Sequence, residues 1–511
     1  MSALSALGQA PGASIDVQHY RFAINLNDAD NVIKGQAILT VKFLKRADKF
    51  TLDLAKQNSE GKGMLVTALK ENGKAVVFLQ DSDKLIINTK GAPGSVHSYR
   101  INYQGTPTDG LIISTNQYKR RTFFGDNWAT RARNWLPCVD HPADKASVEF
   151  LVTAPAHYKV VANGLKVAEK VLPGNKRFTH WRETAKLPTK VMVIGVADFA
   201  VANPGTPGGT PVYTYVFPED KEVGFKSYAV ATKILPWFAG KIGPFPYKKL
   251  ANVQSKTIFG GMENAGAIFY YEKSVNDKGI EALMAHEIAH QWFGDAISEK
   301  TWQHVWLSES FATYMANLYL EGTYGPDSLK SRLEDDRKLI FAFEKQYLAP
   351  VVDSAFKGPM INMLNTNAYQ KGGWVLHMLR RKIGDKAFWK GVGSYYKLYN
   401  GSNANTDDLR AVMEKVSGTN LKPFFYQWLR TSGHPQLKIS QVYNDAAKTV
   451  AIHVNQLQAL PYQFTLELLV DGKLYQMNIK GAETILTVSS ASAKPDIKVD
   501  PDVNLLASFV Q

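Results

Sequence analysis

The sequence predicts a multidomain α+β protein with a β-rich N-terminal part, a mostly helical middle and a small β-rich end. Three observations predict it. The first two hundred residues alternate apolar and polar side chains, the period-2 pattern of half-buried strands. From Gly224 to Arg430 the apolar spacing lengthens to that of amphipathic helices, and from Pro435 the alternation returns. With 511 residues and 45% hydrophobic content the chain can fill several cores.

In the first part, alternating runs lie at 19–26 (HYRFAINL), 35–44 (GQAILTVKFL), 84–89 (KLIINT) and 98–105 (SYRINYQG). Turn residues separate them, and further strands follow at 146–155 and 190–202. No long helix interrupts, so residues 1–204 read as one antiparallel domain of sandwich or saddle type. The loop 122–145, TFFGDNWATRARNWLPCVDHPADK, is dense in aromatics and arginines. It reads either as a packed connection or as a loop reaching towards the second domain.

The Pro/Gly-rich run PGTPGGTP at 204–211 marks a boundary. The second domain, 205–432, opens with strands between Leu250 and Phe269. Its helices are expected at 224–242, 279–293, 308–324, 327–347, 367–383, 386–399, 406–417 and 421–430. Residues 433–511 return to strands at 437–444, 449–456, 464–472, 474–481 and 483–490. Asp471-Gly472 and Lys480-Gly481 are turn signals, and the whole reads as a small β-sandwich.

The formal charge is +14, but the basic residues are scattered rather than clustered. That pattern fits a solvated basic surface, and no nucleic acid partner is expected. The single cysteine, Cys138, excludes an internal disulfide framework. No apolar run reaches the length of a membrane span. The opening MSALSALGQAPGAS lacks the basic and apolar regions of a signal peptide as written. Basic proteins are common in the bacterial envelope, so a periplasmic or secreted location is expected ahead of the cytoplasm.

Chemistry concentrates in EALMAHEIAHQWFGDAISEKTWQHVWLSESFATY, residues 281–314. His286 and His290 are four apart, so a helix stacks them on one face, the geometry a zinc ion takes from two imidazoles. Glu287 projects beside them, where it can serve as general base towards a zinc-activated water. Gly294 is placed to end this helix. After eighteen intervening residues beyond His290 stands Glu309. With Ser308 as N-cap it would open a second helix and complete a two-His, one-Glu set that leaves one position for water. The alternative is a buried amphipathic helix with two hydrogen-bonded histidines.

Two further motifs bear on the substrate. Gly260-Gly261-Met262-Glu263-Asn264 offers glycines that permit close backbone approach, and a carboxylate that can hold a free α-amino group. The alternative is a β-bulge with a surface Glu. Tyr369, in Tyr369-Gln370-Lys371-Gly372, opens a helix. It either donates a hydrogen bond to an oxyanion or packs.

Together these motifs resemble the aminopeptidase N-like family of gluzincin zinc metallopeptidases, in order and spacing and over most of the chain. The resemblance implies a thermolysin-like catalytic domain between the two β domains. It implies one Zn2+ per chain on His286, His290 and Glu309, with Glu287 as general base and proton shuttle. Glu263 would hold the substrate amine, Tyr369 the oxyanion, and Gly260, Gly261, Met262 and Asn264 would line the substrate strand. The expected partners are peptides with a free N-terminus. Two departures stand out. Family members usually carry Gln or Glu ten positions before Cys138. Here Trp128 stands there, so the substrate contact is lost or passes to Asp126 or Asn127, and Trp128 narrows the first-residue pocket. The large C-terminal helical domain of many members is not expected here, and a more open site is. The competing readings are an epoxide hydrolase of the leukotriene branch, a catalytically weak zinc-binding protein, and an endopeptidase, against which Glu263 argues.

Overall fold

The structure, a computed structural model, describes residues 14–510. The opening stretch read for a targeting signal lies, except for its last residue, outside the described residues. The chain divides into two compact units. The first holds the described residues up to Tyr319, with Phe356–Met363 and Val392–Leu409. The second holds Leu320–Ala355, Leu364–Gly391 and the chain from Arg410 onward.

The first unit begins with an eight-stranded sheet centred on Ile15–Asn25, Ile33–Phe43, Val96–Thr106, Lys145–Pro155 and Lys176–Pro188. The expected alternation is present: Val17, Tyr20, Phe22, Leu39 and Val41 are at most 1% exposed while their neighbours face outward. Burying each such side chain contributes about 1.5–3 kcal/mol. Tyr20 stacks on Phe22 at 5.3 Å and Phe22 on Phe150 at 5.6 Å. The sheet is not purely antiparallel, because Ile15–Asn25 runs parallel to Lys145–Pro155. The long excursion between these two strands supplies the crossover that a parallel pair needs.

The run 190–202, expected as one strand, is divided. Thr189–Val191 forms a single 3-10 turn, Ile194–Ala197 joins a four-stranded sheet, and Ala200–Gly205 pairs with Val212–Val216. That last pair begins a five-stranded sheet continued by Leu250–Ser255, Ala267–Tyr271 and the short Gly261–Met262. Leu250–Ser255 is buried throughout and lies between two parallel partners, as a central strand covered on both faces does.

Helices then follow. The expected 224–242 helix is two, Lys221–Tyr228 and Ala231–Ile242. The hydroxyl and the backbone N–H of Thr232 both bond the Ala229 carbonyl, at 2.7 and 3.0 Å, which closes a tighter turn at the break. The helix carrying the two histidines runs Ile280–His290 and stops short of Gly294. Gln291 and Trp292 close back three residues rather than four, and Gly294 sits at φ 117° with its N–H on the Ile297 carbonyl. The next helix is Trp306–Tyr324. It starts two residues earlier than expected, so Ser308 is inside it and is not the N-cap. No helix among the described residues is long and apolar enough to cross a membrane.

The second unit contains the helices Pro326–Glu344, Gly372–Ile383 and Lys422–Leu429 and the two β sheets of the C-terminal part. The Asp471-Gly472 turn has φ 47° and 79° and joins Phe464–Val470 to Lys473–Ile479 as a two-residue hairpin.

Asn163 ties the β part of the first unit to the motif turn near Glu263. Its amide donates to the carbonyls of Val191 (2.8 Å) and Ala265 (2.9 Å), and its carbonyl accepts from Val193 N–H (2.7 Å). All of this is buried. Replacing Asn163 with Ala removes three buried hydrogen bonds and is expected to cost about 3 kcal/mol. A lowered urea midpoint at unchanged m-value checks this.

Candidate active site

The helix Ile280–His290 is held by its apolar back, where Met284, Ala285, Ile288 and Ala289 have no exposed surface. Its other face presents His286 and His290, with ring centroids 4.7 Å apart. Phe293 just beyond it stacks on Phe311 at 4.4 Å, and Tyr319 OH donates to Glu281 Oε1 at 2.8 Å. These contacts lay the first turn of Trp306–Tyr324, and with it Glu309, against the histidines. His286 Nε2 and His290 Nε2 are 3.1 Å apart. Glu309 Oε2 lies 3.2 Å from His290 Nε2 and 3.8 Å from His286 Nε2. A tetrahedral zinc ion with ligands at about 2.1 Å separates them by about 3.4 Å, so this donor set fits one. His290 is 1% exposed on its side chain and His286 18%, so the cluster opens to solvent on one side.

The tautomer is set from behind. His290 Nδ1 lies 3.0 Å from the Phe293 carbonyl and 3.1 Å from Ser308 Oγ. A carbonyl only accepts, so Nδ1 carries the hydrogen and Nε2 is left as a lone-pair donor. Sequence reasoning assigned Ser308 to a cap; its place is behind His290. The charge balance favours a cation. Burial pulls His290 down, but Glu309 and Glu263 outweigh it and push it up to about 10. Burial raises Glu309, and the two histidines overcome it and hold the carboxyl well below its usual range. Burial first, and then the carboxylates of Glu263 and Glu309, push Glu287 well up against the pull of His290.

Glu263 is 5% exposed, and its Oε1 has no hydrogen-bond partner among the described residues. Ligand atoms of Glu263, Glu287 and His290 all lie within 4.8 Å of one another. Burial raises the Glu263 carboxyl, against the pull of His290. The two glycines of the motif differ. A Cβ on Gly261 would stand 2.3 Å from Glu287 Oε1, whereas one on Gly260 would meet nothing closer than 3.9 Å. Gly261 therefore makes room for the Glu287 carboxylate. Met262 and Asn264 are buried, and the Asn264 amide has no partner among the described residues.

In the first-domain loop, Asp126 and Asn127 are already committed. Asp126 accepts from Arg131, from Thr257 Oγ1 (3.0 Å) and from Ile258 N–H (3.3 Å). Asn127 donates to the Thr189 and Met192 carbonyls and accepts from Trp135 Nε1 at 2.8 Å. Neither carries a free group that could replace the missing Gln or Glu. Trp128 is 2% exposed and meets Trp302 edge to face at 5.2 Å. Trp302 in turn lies 5.6 Å from Lys190 Nζ, which forms a buried ion pair with Glu299 at 2.8 and 3.0 Å. Burial lowers Lys190, and the carboxylates of Glu299 and Glu263 raise it above the usual range.

Tyr369 belongs to the second unit. It is half-buried in the π-helical turn Asn367–Lys371, directly before Gly372–Ile383. Lys371 pins that turn. Its Nζ donates to Glu344 Oε1 (2.7 Å) and to the Gly433 carbonyl (2.9 Å), with no exposed surface. The Lys of the Tyr-x-Lys-Gly motif is thus structural, and a wide turn of this kind often marks a functional site.

Two family profiles match the chain. One, described as the peptidase family M1 domain, covers residues 227–428, and the other, the peptidase M1 N-terminal domain, covers 16–191. Among curated proteins, a leucyl aminopeptidase of Saccharolobus solfataricus is 27% identical over 439 residues, 81% of this chain and 54% of its own. Aminopeptidase M1-C of Oryza sativa subsp. japonica is 28% identical over 385 residues, 71% of this chain and 44% of its own. The chain spans about half the length of these relatives. A crystal structure of Legionella pneumophila aminopeptidase A in complex with aspartic acid matches the fold with a TM-score of 0.87 at 16% identity, over 99% of this chain and 61% of that one.

Metal binding tests the cluster without reference to turnover. His290→Ala is expected to abolish stoichiometric Zn2+ binding. Ser308→Ala, which leaves the Phe293 carbonyl in place, should weaken it by about tenfold. Competition with a fluorescent chelator measures both.

Proposed function

Because the chain belongs to peptidase family M1, we propose that it is a zinc-dependent aminopeptidase, releasing the first residue from peptides with a free N-terminus. Glu263 carries this reading. A buried carboxylate with an unpaired oxygen beside the histidine cluster is costly until a cation meets it. The α-ammonium of a peptide supplies that cation. An internal peptide bond does not, which disfavours an endopeptidase.

His286, His290 and Glu309 would hold the zinc, which would polarise the scissile carbonyl and lower the pKa of a water molecule. The raised carboxyl of Glu287 suits a group that takes a proton from the attacking water and returns it to the leaving amine. By its motif, Tyr369 is the candidate donor to the oxyanion. Gly260, Met262 and Asn264 border the substrate strand. Trp128 bounds the first-residue pocket and favours small or flat side chains there.

A panel of aminoacyl fluorogenic amides, with and without chelator, tests the proposal. Turnover of free-amino substrates that a chelator removes and Zn2+ restores supports it; no turnover, or equal turnover of N-acetylated substrates, overturns it. Glu287→Ala is expected to cut kcat by at least about a hundredfold at unchanged zinc content. Gly261→Ala should do nearly the same by displacing that carboxylate, whereas Gly260→Ala should stay near wild type. Glu263→Ala should raise KM for free-amino substrates and leave N-blocked ones unaffected.

A further inference from the structure

Gln291 directly follows the second histidine and has no exposed surface. Its Nε2 donates to the Glu263 carbonyl at 2.7 Å, and its Oε1 accepts from Gly266 N–H at 2.7 Å. One carboxamide thus straps both ends of the turn Glu263–Gly266. That turn closes through Ala267 N–H on the Asn264 carbonyl (2.9 Å) and needs φ 65° at Gly266. Its other bonds come from the β side: Asn163 to Ala265, Ala265 N–H to the Val191 carbonyl (3.3 Å), and Lys249 Nζ to the Gly266 carbonyl (2.7 Å). Gln291 reaches it from the end of the histidine helix instead. It therefore joins the residue that holds the amine to the residues that hold the metal.

We infer that Gln291 is a positioning residue, which sets the distance between the Glu263 carboxylate and the His286–His290 pair and so selects α-amino over β-amino substrates. The inference rests on the aminopeptidase reading. In an α-aminoacyl substrate the amine nitrogen and the scissile carbonyl carbon are two bonds apart, about 2.5 Å. A β-amino substrate adds one methylene. A site that grips the amine at Glu263 and the carbonyl at the metal distinguishes the two only if its two grips cannot drift apart. Displacement of a reacting group by about 1 Å can cost about a hundredfold in rate. The carboxamide suits the task because it needs a donor and an acceptor at once, held without charge beside an already acidic cluster.

The experiment uses the full chain loaded with zinc. Gln291→Met keeps the length of the side chain and loses both bonds. Gln291→Glu keeps the acceptor for Gly266 and sets an oxygen against the Glu263 carbonyl. Zinc content, thermal midpoint, and kcat/KM for alanyl, β-alanyl and N-acetylalanyl fluorogenic amides are measured, alone and in a Glu263→Ala background. Both variants are expected to keep one zinc, and their alanyl-to-β-alanyl ratio should fall by about tenfold or more. With Glu263 already removed, Gln291→Met should have little further effect, a non-additivity that marks a shared function. A ratio that stays at the wild-type value, losses that multiply with Glu263→Ala, or loss of zinc or folding in both variants would each overturn the positioning role while leaving the aminopeptidase reading intact. A wild-type protein that treats alanyl and N-acetylalanyl amides alike would overturn that reading, and the inference with it.

Discussion

Three buried carboxylates crowd one pair of histidines, and the rest of the site follows from that. Glu309, Glu287 and Glu263 all gather around His290, and like charges cannot share a dry site without counter-charge. A dication together with a substrate ammonium would neutralise all three. Proton affinity at His290 is high for the same reason that cation affinity is: the carboxylates overcome burial. Each glutamate then falls into a different role by its partner. Glu309 faces both histidines, Glu287 is pushed up by burial, and Glu263 keeps an open oxygen.

Such a cluster survives because rigid neighbours hold it. Behind the histidine pair, the Phe293 carbonyl and Ser308 fix one imidazole. On the other side, Asn163, Lys249 and Gln291 hold the backbone turn that carries Glu263. Gly261 leaves the gap into which the Glu287 carboxylate fits. The buried Lys190–Glu299 pair lies next to Glu263 electrostatically and in contact with Trp302, which packs on Trp128. Buried pairs of this kind contribute little net stability, but breaking one strands a charge. The first-domain loop is thereby joined to the histidine cluster through charges and rings.

Local spacing made the cluster of His286, His290 and Glu309 legible in the sequence. Two histidines four apart and a Glu after eighteen intervening residues are a one-dimensional pattern, and helix geometry converts it to a face. The alternation of the β parts and the Asp471-Gly472 hairpin were legible for the same reason. Features that depend on two distant segments were not. Nothing near Gly261 in sequence announces that Glu287 lies against it. Ser308 has the composition of a cap, yet its hydroxyl serves His290, because the helix begins at Trp306. Asp126 and Asn127 looked free to bind substrate; only the fold shows their bonds to Arg131, Thr257, Thr189 and Met192. Gln291 carried one signal that could have been read: a carboxamide among apolar residues at a helix end needs partners when buried. The parallel strand pair in the first sheet could not be read from alternation, which is the same for either direction.

The most direct test of the account is zinc X-ray absorption on the purified chain. The account predicts one zinc per chain in a four-coordinate shell of two imidazole nitrogens and light oxygen scatterers at about 2.0–2.2 Å. A sulfur scatterer, a shell without imidazole, or binding well below one zinc per chain would contradict it.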